Sequence, residues 1–151
     1  MSNILEALIE LPVEHEKNVA GTFDEHLKSI EKTLNVTLVS RDGLLKILGA
    51  PERVERARRL LEQLLALSRR GTAITAQSVN YALALAMEEK ETYLTQMDQD
   101  IICHTIQGRP IRPKTLGQKQ YVELIRKNMI VFGIGPAGTG KTYLAMAMAV
   151  T

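Results

Sequence analysis

Residues 129–142 read Met129-Ile130-Val131-Phe132-Gly133-Ile134-Gly135-Pro136-Ala137-Gly138-Thr139-Gly140-Lys141-Thr142, and the run YLAMAMAV continues from Tyr143 to Val150. The first six residues are a short apolar run of the kind expected for a fully buried parallel strand. The last eight read as a helix. Between them stands the pattern G-x-x-x-x-G-K-[ST] in a strand–loop–helix context. Glycines let the backbone curl so that successive N–H groups point into one concavity, where phosphate oxygens can sit. The following helix adds its positive N-terminal end. In such a loop Lys141 reaches the β- and γ-phosphates and the Thr142 hydroxyl takes a Mg²⁺ position. By chance the pattern arises on the order of once in a few hundred chains of this length. The expected binding residues are therefore Gly135, Pro136, Ala137, Gly138, Thr139, Gly140, Lys141 and Thr142, with Thr142 as the metal contact.

The rest of the chain sets the context. Its 151 residues are 45% hydrophobic and 24% charged, near the average for folded soluble proteins and unlike a disordered chain. No apolar run approaches the roughly 18 residues of a membrane span. The start, MSNILEALIELPVEHEK, has four glutamates and no basic segment ahead of an apolar one, so it does not read as a secretory signal. A single cysteine, Cys103, can neither staple the chain nor pair on a metal. A reducing cytoplasm fits these features. The net charge of +2 is unevenly spread: residues 1–70 balance at zero, 71–100 stand at −4 and 101–151 at +6. The positive third suggests an anionic partner, a nucleotide or a nucleic-acid backbone, or else a solvated basic surface.

Residues 4–11 form a short apolar segment, strand or helix, closed by Pro12. Thr22-Phe23-Asp24-Glu25 has the form of a capping box, and Phe23, Leu27, Ile30 and Leu34 follow at helical spacing over 22–34. Residues 36–40 and 44–48 are β-like runs about Arg41-Asp42-Gly43, a strong hairpin signal. Gly49 ends the second run, and Pro51 opens a helix to about Leu67 with Val54, Ala57, Leu61, Leu64 and Leu65 inward. Its wet face carries Glu52/Arg56 and Glu55/Arg59 four apart. Gly71 stops it, and Thr75 caps another helix with Val79, Ala82, Leu83 and Ala86 buried. Residues 88–100 are acidic and read as a linker. Residues 101–113 read as two edge strands about Gln107-Gly108. His15, His26 and His104 have no metal spacing and read as surface or hydrogen-bonded residues. Cys103 and His104, adjacent in a strand, point to opposite faces and make a poor nucleophile pair. Met146 and Met148 read as core filler.

Gln118 lies 17 residues before Gly135. An amide can accept from adenine's exocyclic amine and donate to a ring nitrogen, although spacing alone favours a solvent-facing glutamine before a helix. The segment RPIRPKTLGQKQYVELIRKNMIVFGIGPAGTGKTYLAMAMAV, residues 109–150, resembles the PhoH-like family of phosphate-starvation-inducible ATPases. The resemblance is specific over residues 106–151 and looser before them. It implies a motor similar to the RecA-like core of superfamily 1 helicases, in which a glutamine at the position of Gln118 contacts adenine, selecting ATP over GTP. It also implies a link to RNA metabolism, with RNA and an endoribonuclease as partners, no membrane, and possible homo-oligomers.

The expected fold class is α/β: an N-terminal KH-like α+β domain at 1–87, an acidic linker and edge strand at 88–105, and the truncated start of a RecA-like P-loop domain at 106–151. A KH module clamps nucleic-acid backbone with a Gly-x-x-Gly loop. Here the tetrad is Gly21-Thr22-Phe23-Asp24, whose aspartate places negative charge where phosphate would approach, so a structural or protein-docking role is the favoured reading. Only nine residues follow Thr142, and no apolar run ending in Asp offers a Mg²⁺-ordering acid. The chain accordingly reads as part of a longer ATPase, with ATP and Mg²⁺ as cofactors, no catalytic residue of its own, and no turnover alone. The alternative function is an RNA-binding or ribonuclease-adaptor protein using ATP as a nucleotide-state switch.

Overall fold

The computed structural model describes residues 4–88 and 99–151. The chain divides into two compact units, Met1–Thr92 and Tyr93–Thr151. The expected acidic linker falls mostly on residues 89–98, outside the described residues.

The first unit runs β1 (Leu5–Glu10), α1 (Val13–Ala20), a 3-10 turn (Thr22–Asp24), α2 (Glu25–Leu34), β2 (Thr37–Arg41), β3 (Leu44–Gly49), α3 (Pro51–Arg69) and α4 (Ala76–Met87). The strands form one antiparallel sheet in the order β1-β3-β2. The Asp42-Gly43 turn joins β2 to β3 with both residues at positive φ, +54° and +76°, the conformation a tight right-twisted hairpin requires. Pro51 sits in the first turn of α3, where its missing N–H costs nothing. That helix buries Val54, Ala57, Leu60, Leu61, Leu64, Leu65, Leu67 and Ser68, and so forms the spine on which the sheet's inner residues Ile9, Leu45 and Ile47 pack. Each fully buried leucine contributes roughly 2 kcal/mol. Thr75 caps α4 with a reciprocal box to Ser78, and Val79, Ala82, Leu83 and Ala86 are buried as the spacing predicted.

The start of α2 departs from expectation. The helix begins at Glu25 rather than Thr22, and its first residue is preceded by Asp24 in a left-handed conformation with no side-chain cap. Phe23 and Asp24 both have positive φ, +54° and +59°. This reversal turns Phe23 out of the apolar stripe; it is 88% exposed rather than buried. The contact between the two helices lies beside it. His26 is buried and donates from Nδ1 to the Val19 carbonyl at 3.2 Å, which draws α2 tightly against the end of α1. Gly21, at φ +77°, is where the two helices meet, and a Cβ there would come within 2.8 Å of the His26 ring.

α1 is fastened to the far end of α3 by polar groups. The Asn18 amide donates to Ser68 Oγ and the Thr72 carbonyl, both at 2.9 Å, and accepts from Ile74 N at 2.9 Å. His15 Nδ1 also meets Ser68 Oγ at 3.1 Å.

The second unit comprises β4 (Cys103–His104), β5 (Pro110–Ile111), α5 (Leu116–Lys127) and α6 (Lys141–Ala149). β4 and β5 pair antiparallel about a turn with Gly108 at φ +75°, as expected for that stretch. The hairpin packs on the helices: Ile102, Val122, Leu144 and Ala147 form a small core, with Cys103, Ile111, Tyr121 and Met148 against it. Met148 fills core as expected, whereas Met146 is exposed.

Residues 129–134 are not the expected buried strand. They adopt no regular structure, and Phe132 and Ile134 are 86% and 96% exposed. A buried parallel strand needs a partner along each edge and cover on both faces, and no strand of the described residues lies beside this run. Among the described residues, no helix is long and apolar enough to cross a membrane, and no group of three or more His, Cys, Asp or Glu could hold a metal.

On the wet face of α3, Arg58 grips Glu55 through two hydrogen bonds of 3.0 and 2.7 Å, and Arg59 adds a third at 3.2 Å. Hydrogen bonds from Arg58 first, then Arg59, outweigh partial burial and hold the Glu55 carboxyl at about 2, below its ordinary 4.5. A depressed carboxyl stabilises the fold fully above 4.5 and loses that contribution as pH falls through about 2. Thermal melts of Glu55→Gln are therefore expected to show a deficit at pH 7, about 1 kcal/mol or less for so exposed a group, that closes near pH 2. A larger effect is expected for Asn18→Ala, which removes three partly buried hydrogen bonds and should cost roughly 2–3 kcal/mol in urea unfolding.

Candidate functional site

The Gly135–Thr142 turn lies immediately before α6, with Gly140 as the residue ahead of the helix. Gly138 and Gly140 have φ of +75° and +81°, a region that glycine enters without steric cost. These two angles curl the chain back so that its own oxygens surround the Lys141 ammonium. Lys141 Nζ donates to the Gly135 carbonyl at 3.0 Å, the Pro136 carbonyl at 2.6 Å and Thr139 Oγ1 at 3.1 Å. The Thr139 hydroxyl donates in turn to the Pro136 carbonyl at 3.0 Å. Ala137 occupies the exposed tip, and Thr142 is exposed at the second position of α6.

Gln118 stands at the third position of α5, within the helix whose cap is Thr115; Gln118 N donates to Thr115 Oγ1 at 3.2 Å. Its side chain reaches the turn across 21 residues of sequence, donating from Nε2 to the Thr139 carbonyl at 3.1 Å. Its Oε1 accepts from Lys114 N at 2.6 Å. The fit is close: a Cβ on Gly140 would sit 3.1 Å from Gln118 Nε2. All nine residues singled out in the sequence therefore fall in one neighbourhood of the second unit.

One participant was not foreseen, and one expected residue takes a particular part. Thr139, expected as a member of the loop, bridges the lysine and the Pro136 carbonyl from a position whose residue type the G-x-x-x-x-G-K-[ST] pattern leaves free. Tyr121 lies against Gly133, where a Cβ would come within 3.1 Å of its Cε2, and so helps seat the run that leads into the turn. The histidines take other parts. His26 and His15 serve packing in the first unit, and Cys103 and His104 lie in β4, with Cys103 half-buried against the small core and His104 exposed.

A glycine-rich turn closed by a lysine and leading into a helix, in a mixed α/β chain, defines the class. A family described as PhoH-like protein matches residues 110–151. A PhoH-like protein of Bacillus subtilis is 43% identical over 130 residues, covering 86% of this chain and 41% of that protein. One from Mycobacterium bovis is 41% identical over 143 residues, 94% of this chain and 40% of its own length. One from a Synechocystis strain is 30% identical over 132 residues, 87% of this chain and 40% of the relative. The chain belongs to the PhoH-like family, and it spans about 40% of the length of these curated relatives. No solved structure matches it.

Because Gln118 holds the Thr139 carbonyl, Gln118→Ala is expected to loosen the turn without unfolding α5. Amide hydrogen exchange of residues 139–142 should quicken several-fold, while the rest of α5 and the Val122 core keep their protection.

Proposed function

We propose that the whole protein binds ATP with Mg²⁺ at the Gly135–Thr142 turn, hydrolyses it, and acts in RNA metabolism in the cytoplasm. The observation that carries this reading is the ring of three oxygens around Lys141 Nζ. An ammonium satisfied by neutral oxygens is in place to exchange them for anionic ones, which bind it more strongly. The residues fit the ligand. Two positive-φ glycines curve the turn, the N-terminal end of the nine-residue α6 faces it, and the Thr142 hydroxyl is accessible for a metal ion.

In this reading Lys141 would exchange the Gly135 and Pro136 carbonyls for the β- and γ-phosphates, and the Thr142 hydroxyl would hold Mg²⁺. The bound metal would neutralise charge that develops on the phosphates. Gln118, released from the Thr139 carbonyl and from Lys114 N, would offer both atoms of its amide to adenine. Base and phosphate recognition would then be linked through Thr139. None of the 151 residues is assigned the hydrolytic step.

The first unit agrees with a KH-like reading in its order of helix, hairpin and helix, and in a tetrad, Gly21 to Asp24, lying between two helices. Asp24 adopts the left-handed conformation that a glycine would take there, and aspartate is among the few other residues that tolerate it. The turn thus keeps its shape while carrying a carboxylate against phosphate. We assign this unit a structural or protein-docking role.

Phosphate release by the whole protein tests the proposal. Mg²⁺-dependent turnover should fall at least a hundredfold in Lys141→Ala and rise on adding single-stranded RNA. Unchanged turnover in that variant would remove the assignment. Turnover indifferent to RNA would favour instead a nucleotide-state switch in an RNA-binding or ribonuclease-adaptor protein. For the first unit, Asp24→Gly should raise the affinity for single-stranded RNA only if the tetrad lies on an RNA path; on the docking assignment it leaves that affinity unchanged.

A further inference from the structure

The outer face of the β1-β3-β2 sheet is laid out by register. Residues directly opposite in an antiparallel pair project to the same side. Three cross-strand rows therefore share that face: Glu6, Leu48 and Thr37; Leu8, Lys46 and Val39; and Glu10, Leu44 and Arg41. The opposite face carries Ile9, Leu45 and Ile47 into the core. On the outer face Leu8, Val39 and Leu44 remain 57%, 45% and 43% exposed, set around the Lys46 side chain on the central strand.

The charges on this face are segregated. Both glutamates lie on β1, Arg41 lies on β2, and Lys46 lies between them, paired to Glu6 at 2.8 Å. Among the described residues Arg41 pairs with the adjacent Asp42 at 3.4 Å, and both side chains are 85% exposed, a pair of little worth in water. We propose that this face is the contact surface for a second copy of the chain, joined by a twofold axis running parallel to the strands.

That axis lays β1 of each copy over β2 of the other. Leu8 then meets Val39, Glu10 meets Arg41, and Leu44 meets Leu44 on the axis. Lys46 also meets Lys46 beside the axis, a like-charge contact that the Glu6 carboxylate of each copy, 2.8 Å from its own Lys46, offsets. An axis across the strands would instead set Glu10 over Glu6, which repels. Self-complementarity of one patch is what a twofold dimer requires. Nine residues a side is well below the 20–30 of a standard interface, so the dimer is weak and forms in the micromolar range or above.

Two measurements on the whole chain test this. In sedimentation velocity over a range of concentrations, wild type should show a monomer–dimer equilibrium. Glu10→Arg or Arg41→Glu alone should raise the dissociation constant at least tenfold, and the double exchange should restore it to within about threefold. In a Cys103→Ser background, a Leu8→Cys copy mixed with a Val39→Cys copy should be joined by a short bismaleimide, whose reach suits side chains on facing sheets about 10 Å apart, and more readily than either variant is joined to itself. A strictly monomeric wild type at high concentration overturns the proposal and leaves another segment or another protein as the occupant. A dimer indifferent to both reversals, or one with no cross-link, overturns it equally.

Discussion

Three oxygens of its own turn hold the Lys141 ammonium, and that contact shapes the approach to α6. The ammonium gathers Gly135, Pro136 and Thr139 around itself, and this is possible only because Gly138 and Gly140 accept left-handed backbone. The turn so formed delivers the chain into α6 with its first residues outward and Leu144 and Ala147 inward, where they complete the core with Ile102 and Val122. Gln118 then closes the arrangement from α5 by taking the Thr139 carbonyl. The feature that would recognise an anion is thus also the feature that shapes the protein around it.

The first unit is held by a different kind of contact. A leucine-rich helix, α3, supplies the apolar burial, while Asn18 fixes where α1 sits by satisfying three polar groups near the end of that helix. With α1 fixed, the His26 ring and Gly21 draw α2 in close, and Phe23 and Asp24 are forced into the turn between the helices. Two non-glycine residues in left-handed backbone are sustained there by the packing on either side.

The sequence was legible wherever the deciding interaction is local. Asp42-Gly43, Pro51, the Thr75 cap and the buried stripes of α3 and α4 depend on neighbours within a few residues, and each stands where its spacing placed it. The glycine-rich turn was legible for the same reason. The misreadings share the opposite cause. Thr22-x-x-Glu25 has the form of a capping box, but the contact of His26 with Val19 overrides it. The run 129–134 has the composition of a buried strand, but a strand is made by its partners along the sheet, which composition does not encode. The meeting of Gln118 with Thr139 spans 21 residues and no local pattern announces it; the sequence and the family resemblance point to Gln118 as an adenine contact, not as a contact with the turn.

The central claim is that affinity resides in a polyanion's tail captured by Lys141 and the turn. Calorimetric titration of the whole protein with ATP, ADP, AMP and adenosine measures it directly. The account predicts affinity falling steeply as phosphates are removed, with adenosine bound hardly at all. Equal affinity for ATP and adenosine would contradict it.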